Sequence, residues 1–125
     1  MCKMTEMMIK DRKIKVAEHK EKYMANIVDA ASKCDFIDRI VLFGSSTEER
    51  CRKNSDIDLA VFGDKSEMQA LTSKKYERFA RQLYGFDDHN QAYDLLYYKT
   101  GTHSNDEIMK DINRGELLYV QKTPQ

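Results

Sequence analysis

The sequence predicts an α/β or α+β domain in which helices cover a small mixed sheet. Two observations lead to this fold class. The chain has 125 residues, which is the usual size of one domain. Short apolar runs of strand length also alternate along it with segments of helical periodicity, and that alternation is typical of a sheet with helices packed on it. We therefore expect a single domain over residues 1–125, with its core over about 38–120.

The first predicted element is an amphipathic helix over about residues 5–31. This segment is rich in helix formers and contains neither Gly nor Pro. Its apolar residues recur at helical spacing, as in Ala17, Met24, Ile27, Val28 and Ala31, while Lys and Glu fill most other positions.

The later elements follow from apolar runs and capping signals. Ser66 with Gln69 fits a capping box, and Gly85 is expected to end the same helix in a left-handed conformation. Ser104 with Glu107 is expected to open the last helix. Strands are predicted at 39–43, 56–62, 91–98 and 117–120, the last at an edge, and helices at 46–50, 66–84 and 104–115.

Composition excludes several classes of protein. The net charge is zero, so the overall field gives no reason to expect direct binding to nucleic acid or to an anionic membrane. No apolar run reaches the eighteen residues that span a bilayer, and the charged N-terminus is unlike a signal peptide. Cys2, Cys34 and Cys51 form no CxxC pair and are expected to be reduced thiols. We therefore expect a cytoplasmic protein.

Two carboxylates stand within the second predicted strand. Residues i and i+2 of a strand share a face, so Asp56 and Asp58 project together, opposite Ile57 and Leu59. Nearby carboxylates repel each other, and a divalent cation such as Mg²⁺ would offset that repulsion. The alternative is that both acids belong to an exposed turn at the end of the strand.

Two further features extend this interpretation. Gly44-Ser45 follows an apolar strand, where a Gly-Ser turn offers backbone N–H groups and a hydroxyl to a phosphate; an ordinary turn with Ser45 as helix cap is the alternative. Asp94, in the third strand, would complete a three-carboxylate cluster if that strand lies beside the second. Otherwise Asp94 is an acid at a sheet edge.

These residues together form a known pattern. Gly44-Ser45, ten intervening residues and Asp56-x-Asp58, within "LFGSS...SDIDLAVFG", resemble the signature of the DNA polymerase beta-like nucleotidyltransferase superfamily. The short chain is similar to the minimal nucleotidyltransferases of prokaryotes. The acid in "YDLLYY" and the closing "INRGELLYV" also fit that resemblance.

The resemblance implies a reaction and roles for these residues. Asp56, Asp58 and Asp94 would be catalytic, holding two Mg²⁺ ions that bind the triphosphate of ATP, and Asp94 would help to deprotonate the attacking hydroxyl. Transfer of a nucleoside monophosphate would release pyrophosphate. The nucleotide phosphates would be bound by Gly44, Ser45, Ser46 and Arg52.

The resemblance also implies a partner. Some minimal nucleotidyltransferases belong to two-gene toxin–antitoxin pairs. In these pairs the nucleotidyltransferase is the antitoxin and adds AMP to a tyrosine of a HEPN-type toxin, so a hetero-oligomer is possible. Two alternatives stay open, a non-enzymatic binding subunit and an enzyme that modifies a small molecule of the aminoglycoside type. The chain departs from many relatives at Glu48 and Glu49, where they have Arg-Gly. Arg50, Arg52 and Lys53 could offset these two acids at the phosphates.

Overall fold

The computed structural model describes residues 3–48, 52 and 54–121. Over these residues the chain forms strands and α-helices in the following order: β1 Met4–Ile9, β2 Arg12–Ala17, α1 Glu21–Ser32, β3 Ile37–Phe43, β4 Ile57–Gly63, α2 Glu67–Leu71, α3 Lys74–Gly85, β5 Tyr93–Lys99, α4 Glu107–Asn113 and β6 Glu116–Val120. Single turns of 3₁₀ helix lie at Glu18–Lys20 and Gly44–Thr47. No helix in the described ranges is long and apolar enough to cross a membrane.

Four strands form the main sheet, in the order β5-β4-β3-β6. Strands β4 and β5 are parallel, whereas β3 is antiparallel to both of its neighbours. The parallel pair requires a crossover, which α2 and α3 supply. A mixed sheet covered by helices confirms the predicted fold class, and β6 is at an edge as predicted.

The two faces of this sheet carry different apolar clusters. The larger cluster joins α1 and α3 to one face, and it includes Ile57, Leu59 and Tyr93. The smaller cluster joins α4 to the opposite face through Met109 and Ile112. Alternate residues of each strand therefore serve opposite faces, as the geometry of a strand requires.

The prediction of one helix over residues 5–31 is wrong in its first half. Residues Met4–Ala17 form an antiparallel hairpin, and α1 begins only at Glu21. In β2 the residues Ile14 and Val16 are buried whereas Lys13 and Lys15 are exposed, which is the period of a strand. Burial of this alternating face against the main core outweighs the helical propensity of the Met, Glu and Lys residues in the segment.

The helix predicted over 66–84 is divided into α2 and α3. The capping box of Ser66 and Gln69 is confirmed at the start of α2. Ser73 then caps α3, because its hydroxyl accepts a hydrogen bond from the Lys75 N–H at 3.1 Å. Gly85 does not end this helix in a left-handed conformation. The chain continues helically to Phe86, and Asp88 and His89 adopt the positive φ instead.

Two other boundaries differ from the prediction. The short helix expected at 46–50 is the single 3₁₀ turn Gly44–Thr47, which starts earlier, and part of the predicted segment lies outside the described residues. The last helix is capped by Asp106 rather than Ser104. The Asp106 side chain accepts a hydrogen bond from the Met109 N–H at 2.8 Å, whereas Ser104 accepts one from the Asp106 N–H.

Candidate active site

The turn Gly44–Thr47, here called the 44–47 turn, brings the backbone against a carboxylate of the neighbouring strand. Gly44 has a φ of 74°, a conformation that residues with a side chain rarely adopt. A Cβ atom on Gly44 would lie only 2.3 Å from Oδ2 of Asp58. Thr47 closes the turn by donating a hydrogen bond from its hydroxyl to the Gly44 carbonyl at 2.7 Å. Glycine is therefore required here both by conformation and by close approach.

Asp58 stands at the centre of the site. In the sheet register it pairs with Phe43 of β3 on one side and with Asp94 of β5 on the other. Because Ile57 and Leu59 enter the larger cluster, Asp58 projects to the face that α4 covers. The structure thus brings Asp58 and Asp94 side by side, whereas Asp56 is exposed and lies one residue before β4 begins.

The carboxylate of Asp58 is electrostatically unfavourable. Burial, which is the largest cause, and the negative charges of Asp94 and Asp56 together raise its pKa from 3.8 to about 6. Among the described groups, no hydrogen-bond donor or cation lowers this pKa. A cation bound at the carboxylates would offset both the desolvation and the repulsion.

A cavity of about 390 Å³ opens in front of these residues. Four predicted site residues line it, namely Gly44, Ser45, Asp58 and Asp94. The sequence interpretation missed the rest of its wall, which comes from Phe43, Leu96, Ile108 and Asp111. The alternation of a strand could have predicted Leu96, because it lies two residues beyond Asp94 on the same face.

Three predicted residues do not line this cavity. Ser46 is fully buried, and its hydroxyl has no hydrogen-bond partner in the part of the chain that the structure describes. Arg52 is exposed on the loop before β4, where its backbone forms hydrogen bonds with Ser55 and with His19. Asp56 acts on Asp58 through its charge. Glu49, Arg50 and Lys53 lie outside the described residues.

The described residues fit a divalent cation without forming a complete cage for it. No group of three or more His, Cys, Asp or Glu side chains within the described ranges is arranged to hold a metal ion. A cation such as Mg²⁺, however, usually takes only one or two carboxylates and completes its shell with water and substrate phosphate. Neighbouring Asp58 and Asp94 provide hard oxygen donors of that kind, beside a turn with an accessible backbone.

A glycine turn that faces paired strand carboxylates is an arrangement that suits a nucleotide bound together with a metal ion. The family model described as "Polymerase beta, Nucleotidyltransferase" matches residues 25–123, so the chain belongs to that family and is a nucleotidyltransferase. The matched range contains the 44–47 turn and all three acids, while the N-terminal hairpin lies outside it. Enzymes of this family generally use a nucleoside triphosphate and a divalent metal. No curated protein sequence matches the chain at a significant level.

Proposed function

We propose that the protein transfers AMP from ATP to a tyrosine hydroxyl of a HEPN-type partner, and thereby acts as the antitoxin of that partner. The observation that supports transfer best is the shared cavity. Gly44 and Ser45 line it on one side of Asp58, and Asp94 lines it on the other. Phosphates and an acceptor hydroxyl can therefore approach the same carboxylate from opposite sides.

The 44–47 turn supplies the side on which the triphosphate would bind. Gly44 has no side chain, so the backbone of the turn can approach a phosphate as closely as it approaches Asp58. Backbone N–H groups and the Ser45 hydroxyl would donate hydrogen bonds to phosphate oxygens. In this proposal the turn orients the triphosphate and leaves its α-phosphorus in front of Asp58.

The acids supply the other half of the reaction. Asp58 and Asp94, together with Asp56, would hold Mg²⁺, which when bound neutralises charge on the triphosphate and on the leaving pyrophosphate. The acceptor oxygen forms a bond to the α-phosphorus, and the bond from that phosphorus to the oxygen bridging to the β-phosphate breaks. Asp94 takes the proton of the attacking hydroxyl, and pyrophosphate leaves.

The wall beside Asp94 favours an acceptor with an apolar body. Leu96 follows Asp94 on the same face of β5, and Ile108 of α4, which is 50% exposed, lines the same cavity. A phenol ring would bury its apolar surface against these side chains, whereas the hydroxyl-rich rings of an aminoglycoside would not. This contrast supports tyrosine as the acceptor over a small polyhydroxy molecule.

A labelling experiment tests the transfer. The protein is incubated with Mg²⁺, a HEPN-type protein encoded by a neighbouring open reading frame, and ATP labelled on either the α- or the γ-phosphate. We expect the α-label to reach the partner and the γ-label to remain in pyrophosphate. Asp58→Asn should abolish transfer, whereas the control Asp64→Asn, at the exposed opposite end of β4, should retain it. Tight association without transfer would favour a non-enzymatic antitoxin.

The acceptor wall is tested separately. Ile108→Ser should raise the KM for the protein acceptor by about tenfold and leave the KM for ATP unchanged, because only the acceptor is expected to contact this side chain. Leu71→Ser is the matched control, since Leu71 has a similar exposure of 56% but lies on α2 and does not line the cavity. A rise in the KM for ATP would instead assign the wall to the nucleobase.

A further inference from the structure

A buried lysine lies directly beneath the strand ends that carry the acids. Lys20 closes the 3₁₀ turn before α1 and is fully buried, which is rare for lysine unless its ammonium group is hydrogen-bonded. Its Nζ donates hydrogen bonds to the Ser55 carbonyl and to Oε1 of Gln91, each at 2.6 Å. A lysine is therefore held at the start of both β4 and β5.

Gln91 completes this arrangement. Its side chain is also buried, and its Nε2 donates to the Ser55 carbonyl at 3.0 Å and to the Ala92 carbonyl at 2.7 Å. The Ala92 carbonyl in turn accepts the Ile57 N–H at 3.0 Å, which begins the parallel pairing of β4 with β5. We call Lys20, Gln91 and the carbonyls of Ser55 and Ala92 the Lys20 cluster.

The Lys20 cluster is one or two peptide units away from two of the acids, Asp56 and Asp94. The Ser55 carbonyl belongs to the peptide bond that precedes Asp56, and Ala92 precedes Asp94 by two residues. The register that aligns Asp58 with Asp94 begins at the pair Ile57 and Tyr93, immediately beside the cluster. Burial lowers the pKa of Lys20, whereas the charge of Asp56 raises it, so the ammonium group also acts on an acid directly.

We propose that Lys20 is a positioning residue for the acids of the site, acting through Gln91 and the Ser55 carbonyl to fix the relative placement of Asp56, Asp58 and Asp94. This inference rests on the proposed function, because it assumes that the acids hold a divalent cation with a nucleotide. Three roles for Lys20 predict different effects of its removal. Positioning predicts weaker binding of the cation and nucleotide, simple packing predicts unchanged binding, and repulsion of the cation by the ammonium charge predicts tighter binding.

The probe is Mn²⁺ together with α,β-methylene-ATP, which cannot undergo cleavage at the transferred phosphorus. Isothermal titration is carried out on the unaltered protein and on Lys20→Met, whose folding is checked by circular dichroism. We expect the affinity of Lys20→Met to fall about 10- to 100-fold, the range typical when a residue that orients metal ligands is lost. Unchanged or increased affinity in the folded variant would overturn the proposal.

A double variant covers the case in which Lys20→Met does not fold. In the single variant Oε1 of Gln91 would lose a buried partner. Lys20→Met with Gln91→Leu removes that unpaired acceptor and leaves the Ala92 carbonyl bonded to the Ile57 N–H, although the Ser55 carbonyl loses both of its side-chain donors. The double variant should fold and should lose the same 10- to 100-fold in affinity. If it folds and binds the probe as the unaltered protein does, the proposal is wrong.

A matched control exists between α1 and α3. Lys33 donates to Oε1 of Gln82 at 3.4 Å, which is also a lysine–glutamine hydrogen bond but one distant from the acids. Lys33→Met with Gln82→Leu should therefore leave the affinity for the probe unchanged. The Asp58→Asn variant distinguishes a failure of the proposed function from a failure of the positioning role of Lys20. If this variant also binds the probe normally, the proposed function fails; if only the Lys20 variants bind normally, the positioning role alone fails.

Discussion

The two faces of strand β4 differ in composition although they come from the same seven residues. Towards α1 and α3 it presents Ile57, Leu59 and Val61, none of which has any exposed surface. Towards α4 it presents Ala60 and Phe62, and also Asp58, whose carboxylate reaches the cavity. The comparison shows that the alternation of a strand can separate stability from chemistry within a single element.

The difference between the faces is also energetic. Burial on the α1 and α3 face stabilises the fold, because it removes apolar surface from water. On the α4 face the raised pKa of Asp58 shows that its ionised form is disfavoured where it stands. A carboxylate held under these conditions destabilises the free protein and gains most when a cation binds, which is a common relation between stability and function.

The strongest test of this contrast is Asp58→Asn. We expect transfer to fall by about a thousandfold or more, roughly 4 kcal/mol in the activation barrier, because a ligand for the cation is lost. Thermal stability should stay the same or increase, since a partly buried charge beside two other acids is removed. Calorimetry measures the thermal stability, and the labelling assay measures the transfer. A large loss of stability would contradict the separation of roles.

The opposite result is expected on the other face. Leu59→Ala should lower the free energy of unfolding by about 3 kcal/mol, because it opens a cavity in a fully buried part of the core. Transfer per folded molecule should change by less than about twofold, because Leu59 does not line the site. Urea denaturation and the labelling assay check this. The comparison fails if activity falls while the variant remains folded.

Two glycine substitutions compare the 44–47 turn at the site with a helix away from it. Gly44→Ala should reduce transfer by about 30-fold, roughly 2 kcal/mol, because the added Cβ is strained at positive φ and displaces the Asp58 carboxylate. Gly85→Ala is the control, since no atom lies within 4 Å of a Cβ built there in α3. It should stabilise the protein by about 0.5–1 kcal/mol and leave transfer unchanged. Equal effects of the two substitutions would contradict the role of the turn.

The smallest expected effect is a dependence of stability on pH. The pKa of Asp58 is higher in the folded protein than in the unfolded chain, so the folded state binds more protons between about pH 4 and pH 6. The contribution of Asp58 to the free energy of unfolding therefore decreases as the pH rises through that window. Because Asp58 is only partly buried and solvent screens its charge, we expect this decrease in the free energy of unfolding to be about 1 kcal/mol. Urea denaturation at pH 4.5 and 6.5 should show this decrease in the unaltered protein relative to Asp58→Asn.

The sequence predicted the sheet and the central acids because their signals are local. Alternation assigned Ile57 and Leu59 to the core and Asp58 to the other face, and the structure confirms that assignment. The structure also brings Asp94 beside Asp58, as expected if the two strands are neighbours. This placement depends on the parallel crossover through α2 and α3, which the sequence left open.

The hairpin Met4–Ala17 could not be recognised in the same way. Its turn is Lys10-Asp11 with Lys10 at a φ of 56°, instead of the Asn-Gly or Asp-Gly that usually marks a two-residue turn. Ile108 and Asp111 were missed for a different reason. They reach the cavity only because α4 packs on the sheet, and no motif near them in the chain indicates that contact.

Binding of the nucleotide to the α4 face can be measured without any partner protein. Thermal unfolding of the unaltered protein and of Asp58→Asn is followed with Mg²⁺ alone, with α,β-methylene-ATP alone, and with both. At about 100 times the Kd, the pair of ligands should stabilise the unaltered protein by about 2.7 kcal/mol, because ligands that bind only the folded state stabilise it by mass action. Asp58→Asn should show no such increase. Equal stabilisation of the two proteins would contradict the assignment of the site to Asp58 and its neighbours.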